Sequence, residues 1–323
     1  MAVWTPPEVE LDPSLVTDRL IAYLEQEQKP HNLPVLDGMM KAMRHSVQRQ
    51  LMKPRSDRKG YESATSYTGK CARKARYAYD GSLRPPQQAR SVLKFLLGDL
   101  VELSAVGLLR LAGFDVDTTC NDGQRDLTIT GSDGKLIPVH PDGLLTVGNA
   151  VYNLEIKSCD SFTYDGWLAN GGPDDKFGYV TQASIECAAW AEAQVEVAGT
   201  CFLAVSTGSR QGSVADWLLP FQPKLVEVWH ERRRLVHEPD QPPRGYEGEQ
   251  EREFIRGKTL DPIWQDHGDP QQRLDKNGKV TGYDVLTGRT VLPVACSYCD
   301  YKIPCWGVAE LDMDKGKPVW VLP

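Results

Sequence analysis

The residues best suited to chemistry are Asp142, Glu155 and Lys157. They stand in Val139-His140-Pro141-Asp142-Gly143 and, twelve residues on, Glu155-Ile156-Lys157. Between them Gly148-Asn149 separates two apolar-rich segments, 144–147 and 151–154, which is the pattern of a β-hairpin. The hairpin sets Asp142 near the start of one strand and Glu155 along the returning one. Residues two apart on a strand share a face, so Glu155 and Lys157 point one way while Ile156 turns into the core. Two carboxylates and an ammonium gathered on one spot suit a hard divalent cation and the charge of a phosphodiester. His140 is placed to join or support that shell. A solvated hairpin with ordinary surface charges would carry the same letters, so the remaining sequence has to decide.

The chain has 323 residues, 41% hydrophobic and 25% charged, the balance of a folded protein with one large domain plus additions or two modest ones. No apolar run reaches about 18 residues, so no membrane span is expected. A basic segment followed by an apolar core is missing at the N-terminus, which points to the cytoplasm and to reduced thiols. A net charge of −7 argues against indiscriminate coating of nucleic acid. The charge is uneven, however. From Lys41 to Arg76 eleven Lys and Arg residues oppose two acids, Asp57 and Glu62. Arg55, Arg58, Lys70, Arg73, Lys74 and Arg76 are therefore candidate phosphate contacts.

Several elements must position these residues. Residues 1–60 read as a helical accessory segment, with helices after Asp12-Pro13 and over 37–52. A capped helix carrying Cys71 is expected over 66–79. A long amphipathic helix is expected over 86–112. Gly98 and Glu102 lie one turn apart on it, so the glycine would permit close approach where the glutamate points. Strands are expected over 114–119, 126–130 and 136–140, then the hairpin, then a Gly/Asp/Pro-rich loop at 165–175 that could act as a gate. A helix over 179–196 bears Gln182. Strands over 200–206 and 215–219 and a helix over 224–236 complete an α/β pattern, a mixed central sheet flanked by helices. Residues 239–290, polar and rich in Pro and Gly, read as an irregular insertion with a small hairpin at Asn277-Gly278.

Eight cysteines occur. Cys296, Cys299 and Cys305 lie within ten residues near the C-terminus, and three clustered thiols in a reducing compartment point to metal. Cys71 is the best fourth ligand, because its basic, polar surroundings give a core thiol little purpose. Cys120, Cys159, Cys187 and Cys201 fall in or beside strand and helix patterns and read as core thiols. Four thiolates accept either structural Zn²⁺ or an iron–sulfur cluster.

Pro-Asp, twelve residues, Glu-x-Lys resembles the signature of the PD-(D/E)XK nuclease superfamily. With the cysteines, Cys71 to Trp306 resembles its RecB-like branch. That branch includes CRISPR-associated exonucleases, their phage relatives and AddB-type nuclease domains, in which one cysteine precedes the nuclease core and three follow. The resemblance implies a restriction-endonuclease-like core over residues 61–323, stapled by a 4Fe–4S cluster on Cys71, Cys296, Cys299 and Cys305, with residues 296–306 as the cluster-binding segment. It matches Gly98 and Glu102 to the family's first acidic motif, Asp142 to the second, Glu155-Ile156-Lys157 to the third and Gln182, preceded by Tyr179, to its helix glutamine. Glu102, Asp142, Glu155 and the Ile156 carbonyl would bind Mg²⁺ or Mn²⁺, Lys157 would orient the attacking water and Gln182 would position Lys157 or the phosphate. Tyr179 joins the implied DNA contacts. Glu186 stands where the family often has tyrosine. The implied activity is a DNA exonuclease acting on single strands or free ends, in recombination, repair, phage DNA processing or CRISPR adaptation, with protein partners in such pathways. An endonuclease on the same core, or a DNA-binding partner in which cleavage is secondary, are the alternatives.

Overall fold

The computed structural model describes residues 16–26, 32–52, 60–81, 89–118, 127–208, 213–256, 270–275, 277–292, 296, 299, 301–307, 310–312 and 319–322. They form two compact units, one up to Asp240 and one from Gln241 onward. Among the described residues no helix is long and apolar enough to cross a membrane.

The first unit is α/β. Its five-stranded sheet runs β1 (Asp115–Asp117), β4 (Gly143–Val147), β5 (Ala150–Cys159), β6 (Thr200–Ser206), β7 (Val214–Leu219). Only β5 and β6 pair in parallel, so the sheet is mixed, as expected. The turn between β4 and β5 contains Gly148 at φ 59. Asn149 keeps a negative φ, so the positive-φ position falls on the glycine alone, the pattern of a type II′ connection. The strands alternate as their sequence does. Leu154 and Ile156 face a core formed with Val16, Leu20 and Tyr23 of α1 (Val16–Glu25) and Val106 and Leu109 of α4 (Ala89–Leu111). The apolar stripe of α1, within the helical segment expected over residues 1–60, belongs to this core. The next helix, α2 (Leu33–Met52), lies along α4, where Ser46 and Arg49 reach Asp99 at 2.7 and 3.3 Å.

Three sequence expectations shift. The helix expected over 66–79 begins only at Ala72: a 3₁₀ turn covers Ala64–Tyr67, and Cys71 is the N-cap of α3 (Ala72–Tyr79). The hairpin β2 (Leu127–Thr130) and β3 (Leu136–Val139) is a separate two-stranded sheet, packed with α3, α6 (Tyr179–Glu192) and α7 (Pro223–His237) in a second core around Trp190 and Trp229. The loop expected at 165–175 is half helix. In α5 (Ser161–Asn170) the Asp160 side chain accepts the Thr163 N–H at 2.8 Å, and Gly171 ends the helix at φ 72.

In the second unit, the irregular insertion expected over 239–290 is largely a sheet. Its order is β11 (Glu310–Asp312), β12 (Val319–Val321), β10 (Val280–Val291), β8 (Glu249–Arg256), with β9 (Gln271–Leu274) also paired to β10. Cross-strand pairs replace an apolar face: Arg273 meets Asp284 at 2.5 Å and Arg289 meets Glu251 at 2.7 Å. The hairpin expected at Asn277-Gly278 is present as β9–β10, with the Asp275 carboxylate accepting the Asn277 and Lys279 N–H groups.

One buried ion cluster ties the first unit together. The Glu62 carboxylate, on the chain before the 3₁₀ turn, accepts from Tyr67 Oη at 2.5 Å, Arg233 Nε at 3.0 Å and His237 Nε2 at 2.8 Å, and pairs with Lys135. Arg233, itself only 2% exposed, also reaches Asp133 at 2.8 Å. Burial alone would raise the Glu62 pKa, but Lys135, Tyr67, His237 and Arg233 hold it down at about 2. Since this lies below the ordinary 4.5, the stabilisation is complete above pH 4.5 and is lost as pH falls towards 2. Urea unfolding midpoints should therefore drop across that window in the wild type. Glu62→Gln should lower the unfolding free energy at pH 7 by about 3 kcal/mol, the order expected when a buried pair is broken, and flatten the acid limb.

Candidate functional site

The register of β4 with β5 builds the site. Gly143 pairs with Leu154, so Asp142 stands across from Glu155. Asp142 is buried, and its Oδ2 accepts the Ile156 N–H at 2.7 Å. That bond fixes the carboxylate against the backbone between Glu155 and Lys157. The glycine after it is a packing requirement: a Cβ at Gly143 would stand 2.9 Å from the Asp117 carbonyl oxygen of β1.

Asn153, Glu155 and Lys157 share the face of β5 turned towards α6. Glu155 is completely buried and the Lys157 side chain is 22% exposed; the two form an ion pair through Glu155 Oε1. That oxygen accepts no hydrogen bond of ordinary geometry. Gln182 Nε2 donates to Glu155 Oε2 at 3.3 Å and to Glu186 Oε1 at 2.9 Å. Behind it Asn153 Nδ2 donates to Glu186 Oε2 at 2.8 Å, and Asn153 Oδ1 accepts Trp190 Nε1 at 2.9 Å. Gln182, Glu186 and Trp190 are spaced one turn apart, a single stripe of α6.

The charges act on one another. Burial, then the Asp142 charge, pushes the Glu102 carboxyl well above the ordinary range, with Lys157 opposing. Burial likewise raises Glu155, with Lys157 pulling it down and Asp142 pushing it up. Glu186 is raised by burial and by Glu155 and Asp142. Burial would lower Lys157, but Glu155 and Asp142 more than offset it, so its ammonium is held charged. One cation facing this many acids leaves the site short of positive charge.

Of the expected residues, Asp142, Glu155, Ile156, Lys157 and Gln182 are in direct contact, and Glu102 on α4 is electrostatically coupled to them. The Lys157 ammonium lies 5.7 Å from the Tyr179 ring centroid. His140 directly follows β3 and is half-buried. Lys70 and Lys74 are exposed, and Arg73 is half-buried. Arg76 is corrected: its guanidinium is committed to Asp80 and to the Val236 and Glu238 carbonyls at the end of α7, so it closes a helix terminus and is not free for phosphate. Gly98 is also corrected, because a Cβ there would meet Ser158 Oγ at an ordinary 3.7 Å. Alanine fits, and close approach does not require glycine. Arg55, Arg58 and Cys120 lie outside the described residues.

Asn153, Glu186 and Trp190 were not expected at the site. The signal for them was faint: a polar Asn153 inside an apolar strand, in step with Glu155, and an acid one turn after Gln182 on an apolar helix face.

Cys71 caps α3 in the first unit and is half-buried. In the second unit Cys296 is buried against Leu292, and the Cys299 N–H donates to the Cys296 carbonyl at 3.0 Å. The Cys305 carbonyl accepts from Arg244, whose guanidinium stacks 4.3 Å over Trp306 in α8 (Lys302–Trp306). Among the described residues no three His, Cys, Asp or Glu side chains are drawn together as a ready-made metal cage.

No family model matches the chain, and no curated protein matches it. Among solved structures, that of SSO0001 is similar over 62% of this chain and 86% of its own, at 15% identity and a TM-score of 0.37.

Asn153 is the joint between α6 and β5. Asn153→Ala should destabilise the protein by about 1–3 kcal/mol in urea unfolding, because the Trp190 indole N–H and the Glu186 carboxylate would both lose a buried partner.

Proposed function

We propose that the chain is a metal-dependent deoxyribonuclease of the PD-(D/E)XK type that degrades DNA from free ends, with single strands as its substrate. The observation that carries this reading is the 2.7 Å bond from Ile156 N–H to Asp142 Oδ2. It holds one acid beside the strand that bears a second acid and a lysine, in a site whose acids outnumber its cations. The donor set fits a hard divalent cation: carboxylates pushed towards neutrality by burial and then by one another.

Asp142, Glu155, Glu102 and the Ile156 carbonyl would hold Mg²⁺ or Mn²⁺, with His140 in support. The bound cation supplies a water of lowered pKa and a Lewis acid for the scissile phosphate. Lys157, kept charged by its neighbours, orients that water and stabilises the negative charge that builds on the phosphate oxygens. Gln182 fixes the Glu155 carboxylate on its far side. On the sequence resemblance alone, the thiols of Cys71, Cys296, Cys299 and Cys305 would be the ligands of a structural 4Fe–4S cluster, with Zn²⁺ as the competing occupant.

Incubation of purified protein with end-labelled linear and closed circular single-stranded DNA, with Mg²⁺ or Mn²⁺, tests the reading. Linear strands should be degraded and circles should survive; discrete cuts in circles would instead indicate an endonuclease. Asp142→Ala and Glu155→Ala should each abolish cleavage while the protein stays folded. Lys157→Ala should lose the rate but retain metal binding in calorimetry, and wild-type turnover in any of the three would sink the assignment.

Protein purified without oxygen should contain about four irons per chain and absorb broadly near about 400 nm. Cys71→Ala should lose the iron, and stoichiometric zinc in its place would overturn the cluster.

A further inference from the structure

Two neighbouring rings with a lysine at each end lead away from the proposed site. Starting from Lys157, the ammonium lies 5.7 Å from the Tyr179 ring centroid. Tyr179 stands 5.9 Å from Phe177, tilted by 47°. Phe177 in turn has the Lys176 ammonium 5.7 Å from its ring. The far end is open: Phe177 is 55% exposed and Lys176 is exposed, whereas Tyr179 is half-buried.

The turn that carries Lys176 and Phe177 is held firmly. The Gly178 N–H donates to the Asp175 carbonyl at 3.1 Å. The Asp175 carboxylate accepts the Thr181 N–H at 2.8 Å and the Thr181 hydroxyl at 2.7 Å, tying the turn to the first turn of α6. Gly178 adopts φ 81, and a Cβ there would stand 2.5 Å from the Thr68 carbonyl oxygen. This close approach fixes the turn on its other side. Asp174 accepts the Lys176 N–H at 3.1 Å, so both acids of the turn are occupied by N–H or O–H donors. Lys176 is the exposed cation of the turn, beside the Phe177 ring.

We propose that Phe177, backed by the core-packed ring of Tyr179 and flanked by Lys176, is a stacking track that takes an unpaired base of a single-stranded DNA end and leads the strand to Asp142 and Glu155. The inference rests on the nuclease reading for its direction of travel. The chemistry of the track supports it independently: an exposed ring offers a face to any base, and the Lys176 ammonium beside it can meet a backbone phosphate. A duplex, whose bases already stack on one another, gains nothing from the ring. An exposed aromatic on a fixed turn therefore selects unpaired bases without reading their sequence.

The test is binding of an oligothymidylate carrying one 2-aminopurine near its end, in EDTA so that no cleavage occurs. Wild-type protein should bind it and quench the 2-aminopurine fluorescence. Phe177→Ala should weaken binding about 5- to 100-fold, the range for one stacked base, and lose the quench. Phe177→Trp should retain both, whereas Phe177→Leu, apolar but without a ring, should behave like Phe177→Ala. Phe221→Ala, beside the other end of α6 near Gln194 and Glu196, should match the wild type. Affinity for blunt duplex should be unchanged in all four variants. If Phe177→Ala binds and quenches like the wild type while Asp142→Ala still abolishes cleavage, the track is overturned and the nuclease stands. If quenching depends on Phe177 but the wild type cleaves nothing with Mg²⁺ or Mn²⁺, the track stands and the nuclease reading falls.

Discussion

Four acids, Glu102, Asp142, Glu155 and Glu186, act on one ammonium, that of Lys157, around the strand β5. Removing charge from water is unfavourable unless partners replace the lost hydration. Much of the first unit is arranged to provide them. Ile156 donates its backbone N–H to Asp142, Gln182 bridges Glu155 and Glu186, and Asn153 ties Glu186 to Trp190. Long helices on either side supply the acids and exclude water from them. Their apolar stripes, Val106 and Leu109 on α4 and Ile185 and Ala189 on α6, pack the two cores. The polar site and the apolar cores are thus two sides of the same elements, and neither could be moved without the other.

What could be read in the sequence is what depends on short-range periodicity. The alternation of β5 and the Gly148-Asn149 turn are written locally, so the placing of Asp142 across from Glu155 and the shared face of Glu155 and Lys157 were recoverable. Gln182 entered instead through the family resemblance, with Lys157 or the phosphate as its expected partner where the structure gives it Glu155 and Glu186. Residues whose meaning lies in a distant partner were not recoverable. Glu62 looked like one of two acids in a basic run, yet its carboxylate is turned inward to Arg233, 171 positions away. Arg76 looked like a phosphate contact because nothing nearby reveals that its guanidinium closes a helix 160 residues on.

The other departures have local causes that composition obscured. Residues 161–170 contain Gly166 and run into Gly171, Gly172 and Pro173, a stretch that reads as loop. One carboxylate at Asp160 and one left-handed glycine at the far end are enough to make it a helix. In the second unit, Gln271–Leu274 is exposed along its whole length and is held by its backbone ladder to β10, which a polar sequence does not reveal.

The one parallel pair in the sheet has a kinetic meaning. The strands β4 and β5 join through two residues and can zip as soon as they are made. To lie beside β5 in parallel, β6 must wait for the whole of residues 160–199, including α5 and α6, to loop back over the sheet. Closing that loop costs chain entropy before any contact across it is gained. Gln182 and Glu186 lie within the loop, so they reach Glu155 only when it has closed. Until that crossover is in place, Asp142 and Lys157 can already lie together on the hairpin while the Glu155 carboxylate, still in water, stays an ordinary acid. The electrostatic character of the site is therefore a late product of folding, acquired when the crossover closes and not when the hairpin forms.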